Sequence, residues 1–277
     1  MDYLGVTIKL HQDVFELISA VLDGLGFEGI YEEEGKITAY IPAKNYKKTD
    51  IAEQANLLGI ALSAFEIIAE ENIEERNWNA EWEKNFEPVL VEDKCVVRAP
   101  FHDEFEHIPI RITIEPKMSF GTGHHETTRL MIAEILKNNY TAKKVLDMGC
   151  GTGVLGILAS IKGAEHVVGI DYDKWAYENT LENIERNKIN NMDAILGGKE
   201  AIPETKFDVI LANINRNILL DQMTSYANSI VNGGKLFLSG ILIEDREVIK
   251  SCAEQNGFVF DKQINLKKWS MHTYVKG

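Results

Sequence analysis

Apolar and polar residues alternate over residues 4–10, with Leu4, Val6, Ile8 and Leu10 on one side, which predicts a β-strand. The period then changes. Val14, Leu17, Ile18, Val21, Leu22 and Leu25 follow helical spacing, and the pattern stops at Gly24 and Gly26. FEGIYEEE and KITAYIPA read as two strands about a turn at Gly35. Residues 50–62 return to helical spacing, with Thr49 or Asp50 as the capping side chain. AFEIIAEENI reads as a final strand. The predicted order over residues 1–70 is therefore βαββαβ. Residues 71–88 come next. Trp78, Trp82 and Phe86 stand at i, i+4 and i+8, which predicts a linker helix with its three rings on one packed face, ended by Pro88.

From residue 89 the pattern differs. KCVVRAPF and IPIRITIEP read as strands. The loop MSFGTGHHETTRL and a helix over 128–138 follow. KKVLDMG, HVVGIDY, DAILGG, FDVILANI and GGKLFLSGI then alternate with helical segments, and FVFDKQ and WSMHTYVK fit an antiparallel edge pair. Such alternation predicts a doubly wound parallel sheet. The fold class is α/β: a Rossmann-like doubly wound domain over 89–277, preceded by a small α+β domain over 1–70 in ferredoxin-like order.

Composition narrows the function classes. The 277 residues are 45% hydrophobic and 26% charged, ordinary for a globular protein with a sizeable core. The formal net charge is −14, which disfavours direct nucleic-acid or anionic-membrane binding and suits a basic partner. The three cysteines, Cys95, Cys150 and Cys252, form no CxxC, so a reducing cytoplasm is expected. MDYLGVTIKL does not read as a signal peptide, and no segment approaches the ~18 consecutive apolar residues of a membrane helix. A monomer is expected.

The sharpest motif is KVLDMGCGTGVLGI, an apolar strand running into Gly149, Gly151 and Gly153 before a helix. Glycine-rich backbone at a strand-to-helix turn lets a ligand approach the main chain. Gly151, Gly153 and Gly156 also satisfy the dinucleotide spacing G-x-G-x-x-G, so a dinucleotide and a methyl donor both remain open. Asp147 disfavours a pyrophosphate and suits a ligand with cationic groups. D-x-G-x-G-x-G over 147–153 resembles the first motif of S-adenosylmethionine methyltransferases. Asp171, at the tip of the next strand, suits a ribose diol in either ligand. Together the features favour the methyl donor. Asn213 ends the fourth strand, where an amide can meet both the donor and an incoming nucleophile. Asn213-Ile214-Asn215-Arg216 stands where many amine methyltransferases carry N-P-P-Y, which argues against a nucleobase substrate. Asn215 reads best as a helix N-cap.

The loop over 118–130 makes a poor metal site, because His124 and His125 are adjacent and no third ligand is suitably spaced. It lacks the lysine of a phosphate loop. It can instead fold over the donor crevice with Thr127, Thr128 and its backbone amides facing the ligand. PKMSFGTGHHETT resembles the motif P-G-x-A-F-G-T-G-x-H-x-T-T of the PrmA methyltransferases, which modify large-subunit ribosomal protein L11. NWNAEWEKNFEPV resembles that family's linker, and LSGIL and KKWSMHTYVK its C-terminal segments. The resemblance implies a class I methyltransferase that uses S-adenosylmethionine to methylate the N-terminal α-amine and lysine ε-amines of a basic, lysine-rich ribosomal protein. It places donor contacts at Thr128, Gly149, Asp171 and Asn213. It makes Phe120, Gly121 and Thr122 a flexible lid, and the N-terminal domain the part that recognises substrate. Lys117, His124 and Glu126 depart from the family loop, which usually has Gly, often Thr, and usually Pro there. A methyltransferase with another protein or small-molecule amine as substrate, an NAD-dependent oxidoreductase and an RNA-binding module are the rival readings.

Overall fold

The computed structural model describes residues 3–73, 86–117 and 119–277. The chain divides into two compact units, Met1–Asn85 and Phe86–Gly277.

In the first unit, β1 (Tyr3–Leu10), α1 (Phe15–Gly24), β2 (Glu28–Glu33), β3 (Lys36–Pro42), α2 (Lys48–Leu57) and β4 (Phe65–Ile73) follow one another. The sheet is antiparallel, in the order β2-β3-β1-β4. Strand periodicity turns Val6, Ile8, Ile37, Ala39 and Ile41 to one face, where they are buried with Ile18, Leu22 and Ile51 of the helices. Two boundaries differ from the sequence pattern. The second helix begins at Lys48 without a side-chain cap and ends at Leu57, before Gly59. Leu57, Leu58 and Leu62, which a helix over 50–62 would have partly buried, are exposed. The final strand ends at Ile73, where AFEIIAEENI places it. Trp78 and Trp82 of the expected linker helix lie outside the described residues. Phe86 is described and is not helical.

The second unit opens with a small sheet of β5 (Val89–Val91), β6 (Cys95–Arg98) and β7 (Ile110–Thr113), then α3 (Glu126–Lys137). The main sheet has β8 (Lys144–Met148), β9 (His166–Asp171), β10 (Met192–Leu196), β11 (Phe207–Asn213), β12 (Ile230–Leu242), β13 (Phe258–Leu266) and β14 (Trp269–Lys276). Their order is β10-β9-β8-β11-β12-β14-β13. The first five are parallel, and β14 is antiparallel to both β12 and β13. The connecting helices are α4 (Val154–Ile161), α5 (Lys174–Arg186), α6 (Arg216–Ser229) and α7 (Arg246–Gln255).

Both faces of this sheet are covered, so its strands read as unbroken apolar runs. Val145, Val167 and Leu211 enter one core with residues of α3 and α4. Their neighbours Leu146, Val168 and Ile210 enter the other core with residues of α6 and α7. The strand order reverses between β8 and β11. Ligands of open α/β sheets bind at such a reversal, beyond the carboxyl ends of the strands.

Candidate active site

Three segments meet at that reversal. The first is the glycine turn after β8. Gly149 and Cys150 both donate backbone N–H groups to the Ile170 carbonyl, at 2.8 and 3.1 Å, which bends the turn against the end of β9. Gly149 and Gly151 have φ of 70° and 59°. A Cβ on Gly149 would lie 2.2 Å from Cγ2 of Ile214, and one on Gly151 2.2 Å from the Phe120 carbonyl oxygen. Both positions therefore need glycine twice over, for backbone conformation and for space.

Two carboxylates hold the turn. Asp171 accepts the Gly151 N–H on Oδ2 at 2.9 Å and the Asp173 N–H on Oδ1 at 3.0 Å. Asp147 is buried and accepts the Gly156 N–H at 2.9 Å. That bond anchors the first turn of α4, a position where a helix favours negative charge. Burial lifts the Asp147 carboxyl to about 7; the Gly156 N–H opposes this, and the charge of Asp171 adds to it.

The second segment is the loop before α3. Its Phe120 carbonyl accepts the Thr152 N–H at 2.9 Å, and its Gly121 carbonyl accepts the Thr152 hydroxyl at 2.8 Å. His125 caps α3: its Nδ1 accepts the Thr127 N–H at 3.3 Å and lies 2.7 Å from the Thr127 hydroxyl. The His125 ring stands edge-on to Trp269, with centroids 4.8 Å apart, and 5.3 Å from Phe120.

The third segment is the end of β11. Asn213 donates an amide N–H to the Thr128 hydroxyl at 3.3 Å. Its Oδ1 is buried and has no hydrogen-bond partner. Asn215 caps α6 by accepting the Ile218 N–H at 3.2 Å, as its sequence position suggests.

These segments enclose a cavity of about 490 Å³, within the range of small-molecule sites. Of the sequence candidates, Phe120, Thr127, Gly149, Gly151, Asp171 and Asn213 line it. Thr128 stands behind Asn213, and Asp147 behind the glycine turn. Gly121 and Thr122 belong to the same loop but are not among the lining residues. Sequence reasoning missed four aromatic groups on the wall: His125, Tyr172, Trp175 and Trp269. Tyr172 and Trp175 are 77% and 76% exposed. An aromatic pair directly after the strand-tip acid, in IDYDKW, was the available signal for these two. Nothing local marks Trp269.

Comparison with known proteins bears on what such a cavity serves. A family profile described as ribosomal protein L11 methyltransferase (PrmA) matches residues 1–276. The chain belongs to that family. A ribosomal protein L11 methyltransferase of Porphyromonas gingivalis is 42% identical over 264 residues, covering 94% of this chain and 90% of that one. One from Bacteroides fragilis is 40% identical over 281 residues, covering 99% and 100%. The crystal structure of a ribosomal protein L11 methylase from Lactobacillus delbrueckii subsp. bulgaricus superposes with a TM-score of 0.64 at 24% identity, covering 69% of this chain and 100% of that one, and shares the fold. This PrmA-family chain is a methyltransferase.

The three departures from the PrmA loop motif each have a partner of their own. Lys117 places Nζ 2.5 and 2.6 Å from the carboxylate oxygens of Glu182. Glu126 pairs with Lys267 at 2.5 Å. His124 Nε2 donates to the Glu87 carbonyl at 2.8 Å. At Lys117 and Glu126 these are pairs that a glycine or a proline could not make.

Proposed function

We propose that this PrmA-family enzyme transfers methyl groups from S-adenosylmethionine to the N-terminal α-amine and lysine ε-amines of ribosomal protein L11. One observation carries the amine assignment. The Asn213 side chain stands at the carboxyl end of β11 among the residues that line the cavity, with its amide N–H on the Thr128 hydroxyl and its Oδ1 unpartnered. A side-chain rotation that turned Oδ1 into the cavity would give an incoming amine N–H its acceptor and relieve an unpaired group that costs about 1–3 kcal/mol.

The donor assignment rests on the glycine turn, on Asp171 at the tip of β9 and on the exposed rings of Tyr172 and Trp175 beside it. These offer close backbone approach, a carboxylate for a ribose diol and flat surfaces for a base. Bound there, S-adenosylmethionine supplies a methyl group on a cationic sulfur. Phe120 and the loop that carries it exclude water. Asn213 orients the amine for in-line attack, and Thr128 holds the Asn213 amide. The C–S bond breaks as the C–N bond forms, and the amine proton leaves to solvent. An α-amine of pKa about 7.7–8.0 is partly neutral at physiological pH, whereas a lysine near 10.4 must first lose a proton. Positioning and desolvation then account for catalysis without a dedicated base.

The first unit is the part we assign to substrate recognition, over residues 1–70, with 71–88 as linker and 89–277 as the catalytic domain. Asp13, Glu16 and Glu32–Glu34 edge a hollow on it, a charge pattern that suits a lysine-rich protein. Action in the cytoplasm as a monomer, without direct nucleic-acid contact, completes the reading. Among the described residues no helix is long and apolar enough to cross a membrane.

Calorimetry tests the donor assignment. S-adenosylhomocysteine should bind one site per chain, and NAD should not bind. The reverse result would return the cavity to the dinucleotide reading.

A further inference from the structure

Two histidines, His102 and His124, act on the same stretch of backbone at the start of the second unit. His102 Nε2 donates to the Phe86 carbonyl at 2.5 Å, and its Nδ1 accepts the Ala99 N–H at 3.0 Å. His124 Nε2 donates to the next carbonyl, that of Glu87, at 2.8 Å. With its proton on Nε2, the His124 ring offers Nδ1 as an acceptor, and the Thr122 hydroxyl lies 3.0 Å from it. The Phe86 ring lies against both imidazoles, stacked on His102 with centroids 6.0 Å apart and tilted against His124 at 4.6 Å. Gly123 closes on Val89, where an added Cβ would lie 3.3 Å from the valine Cβ.

His102 belongs to the turn that follows β6 of the small sheet. His124 belongs to the loop that carries Phe120 over the donor cavity. Three and four residues before it, the Gly121 and Phe120 carbonyls are held by Thr152 of the glycine turn. One residue after it, His125 caps α3 and lines the cavity. The loop is thus fastened to the glycine turn on one side and to residues 86–87 on the other. Residues 86–87 are where the chain enters the second unit from the first. Any rearrangement of the loop over a bound donor must therefore either carry residues 86–87 with it or break the His124 bond.

We propose that His124 is a positioning residue that couples the loop over the donor cavity to the incoming chain at Phe86 and Glu87. Donor binding and the placement of that incoming segment then bias one another, each by the same factor. This coupling rests on the donor binding in the cavity described above.

The test uses the full chain with S-adenosylhomocysteine, which occupies the donor site without turnover. Hydrogen exchange is followed by mass spectrometry in the peptides covering residues 86–92 and 119–125, and affinity by calorimetry. In the wild type the ligand should slow exchange in both peptides. In His124→Ala it should slow exchange in 119–125 alone, with affinity about five- to tenfold weaker from the lost hydrogen bonds. His124→Gln can still donate an amide N–H to the Glu87 carbonyl and should restore both protections and an affinity within about twofold of wild type. His124→Asn, too short to reach Glu87, should behave as His124→Ala; the Gln and Asn pair carries the test if the alanine variant fails to fold. Two results overturn the inference alone: a wild type whose ligand protects 119–125 and leaves 86–92 unchanged, or a His124→Asn variant with both protections intact. A wild type that does not bind S-adenosylhomocysteine overturns the donor reading, and this inference with it.

Discussion

The carbonyl oxygen of Phe120 occupies the space that a side chain on Gly151 would need: a Cβ there would sit 2.2 Å away. The loop over the cavity and the glycine turn beneath it are therefore fitted to one another at van der Waals range. Gly151→Ala must either push the loop outward or strain a backbone with φ of 59°. We expect a loss of about 1–3 kcal/mol in stability and at least a tenfold loss of affinity for S-adenosylhomocysteine, read by denaturant titration and calorimetry. Unchanged affinity would separate the loop from the donor site.

Asp171 holds two backbone N–H groups and faces the cavity. Asp171→Asn keeps the shape but loses the charge and one acceptor. Hydrogen bonds to charged groups contribute about 1.5–3 kcal/mol, so donor-analogue affinity should fall roughly ten- to a hundredfold. A circular dichroism spectrum matching wild type would show that the fold survives. Full affinity in the variant would remove Asp171 from the donor contacts.

Asn213→Ala removes the unpartnered acceptor together with the amide that reaches Thr128. Turnover should drop by about ten- to a hundredfold, as for a group that orients a reacting amine. Donor-analogue affinity should change less. Wild-type turnover with normal donor affinity would show that Asn213 does not position the nucleophile.

Much of this arrangement was legible because parallel strands covered on both faces leave a plain trace. KVLDM, HVVGID and FDVILAN carry consecutive apolar residues between their polar ends, since Val145 and Leu146, for example, enter opposite cores. The glycine turn and strand-tip acid were legible because a strand, a turn and a helix are contiguous in sequence. Other parts were not. The three-residue strand Val89–Val91 is too short for its period to register. His125 as a helix cap lies outside the usual Ser, Thr, Asp and Asn set. Trp269 reaches the cavity from the far end of the chain, and the Lys267–Glu126 pair spans 141 positions, so only the folded sheet brings them in. Residues 57–62 show the opposite failure: Leu57, Leu58 and Leu62 are spaced as on a helix yet stand exposed.

Two buried groups give the stability of the protein opposite slopes with pH. Burial, and then the charge of Arg246, push the His272 imidazole down to about 4, below its ordinary value near 6.5. Its native state favours the neutral ring, so this contribution is complete above pH 6.5 and is lost as the pH falls towards 4. Asp147 is raised from 3.8 to about 7, so its native state favours the protonated carboxyl. Its contribution is complete below about pH 4 and is lost as the pH rises through 7. Asp147→Asn should therefore gain stability relative to wild type between pH 5 and pH 8, by up to a few kcal/mol. Denaturant titrations at the two pH values read this directly. A pH-independent difference would mean that Asp147 is ionised throughout.

Methylation of ribosomal protein L11 is read by incubating the purified chain with isotope-labelled S-adenosylmethionine and free ribosomal protein L11 from the same source, followed by intact-mass and peptide mass spectrometry. The expected result is a ladder of single-methyl steps ending in methylated α-amine and lysine positions, and a much shorter ladder when Asn213→Ala replaces the wild type at matched time. An unmodified ribosomal protein, with S-adenosylhomocysteine still bound by calorimetry, would contradict the substrate assignment and leave a methyltransferase acting on another amine.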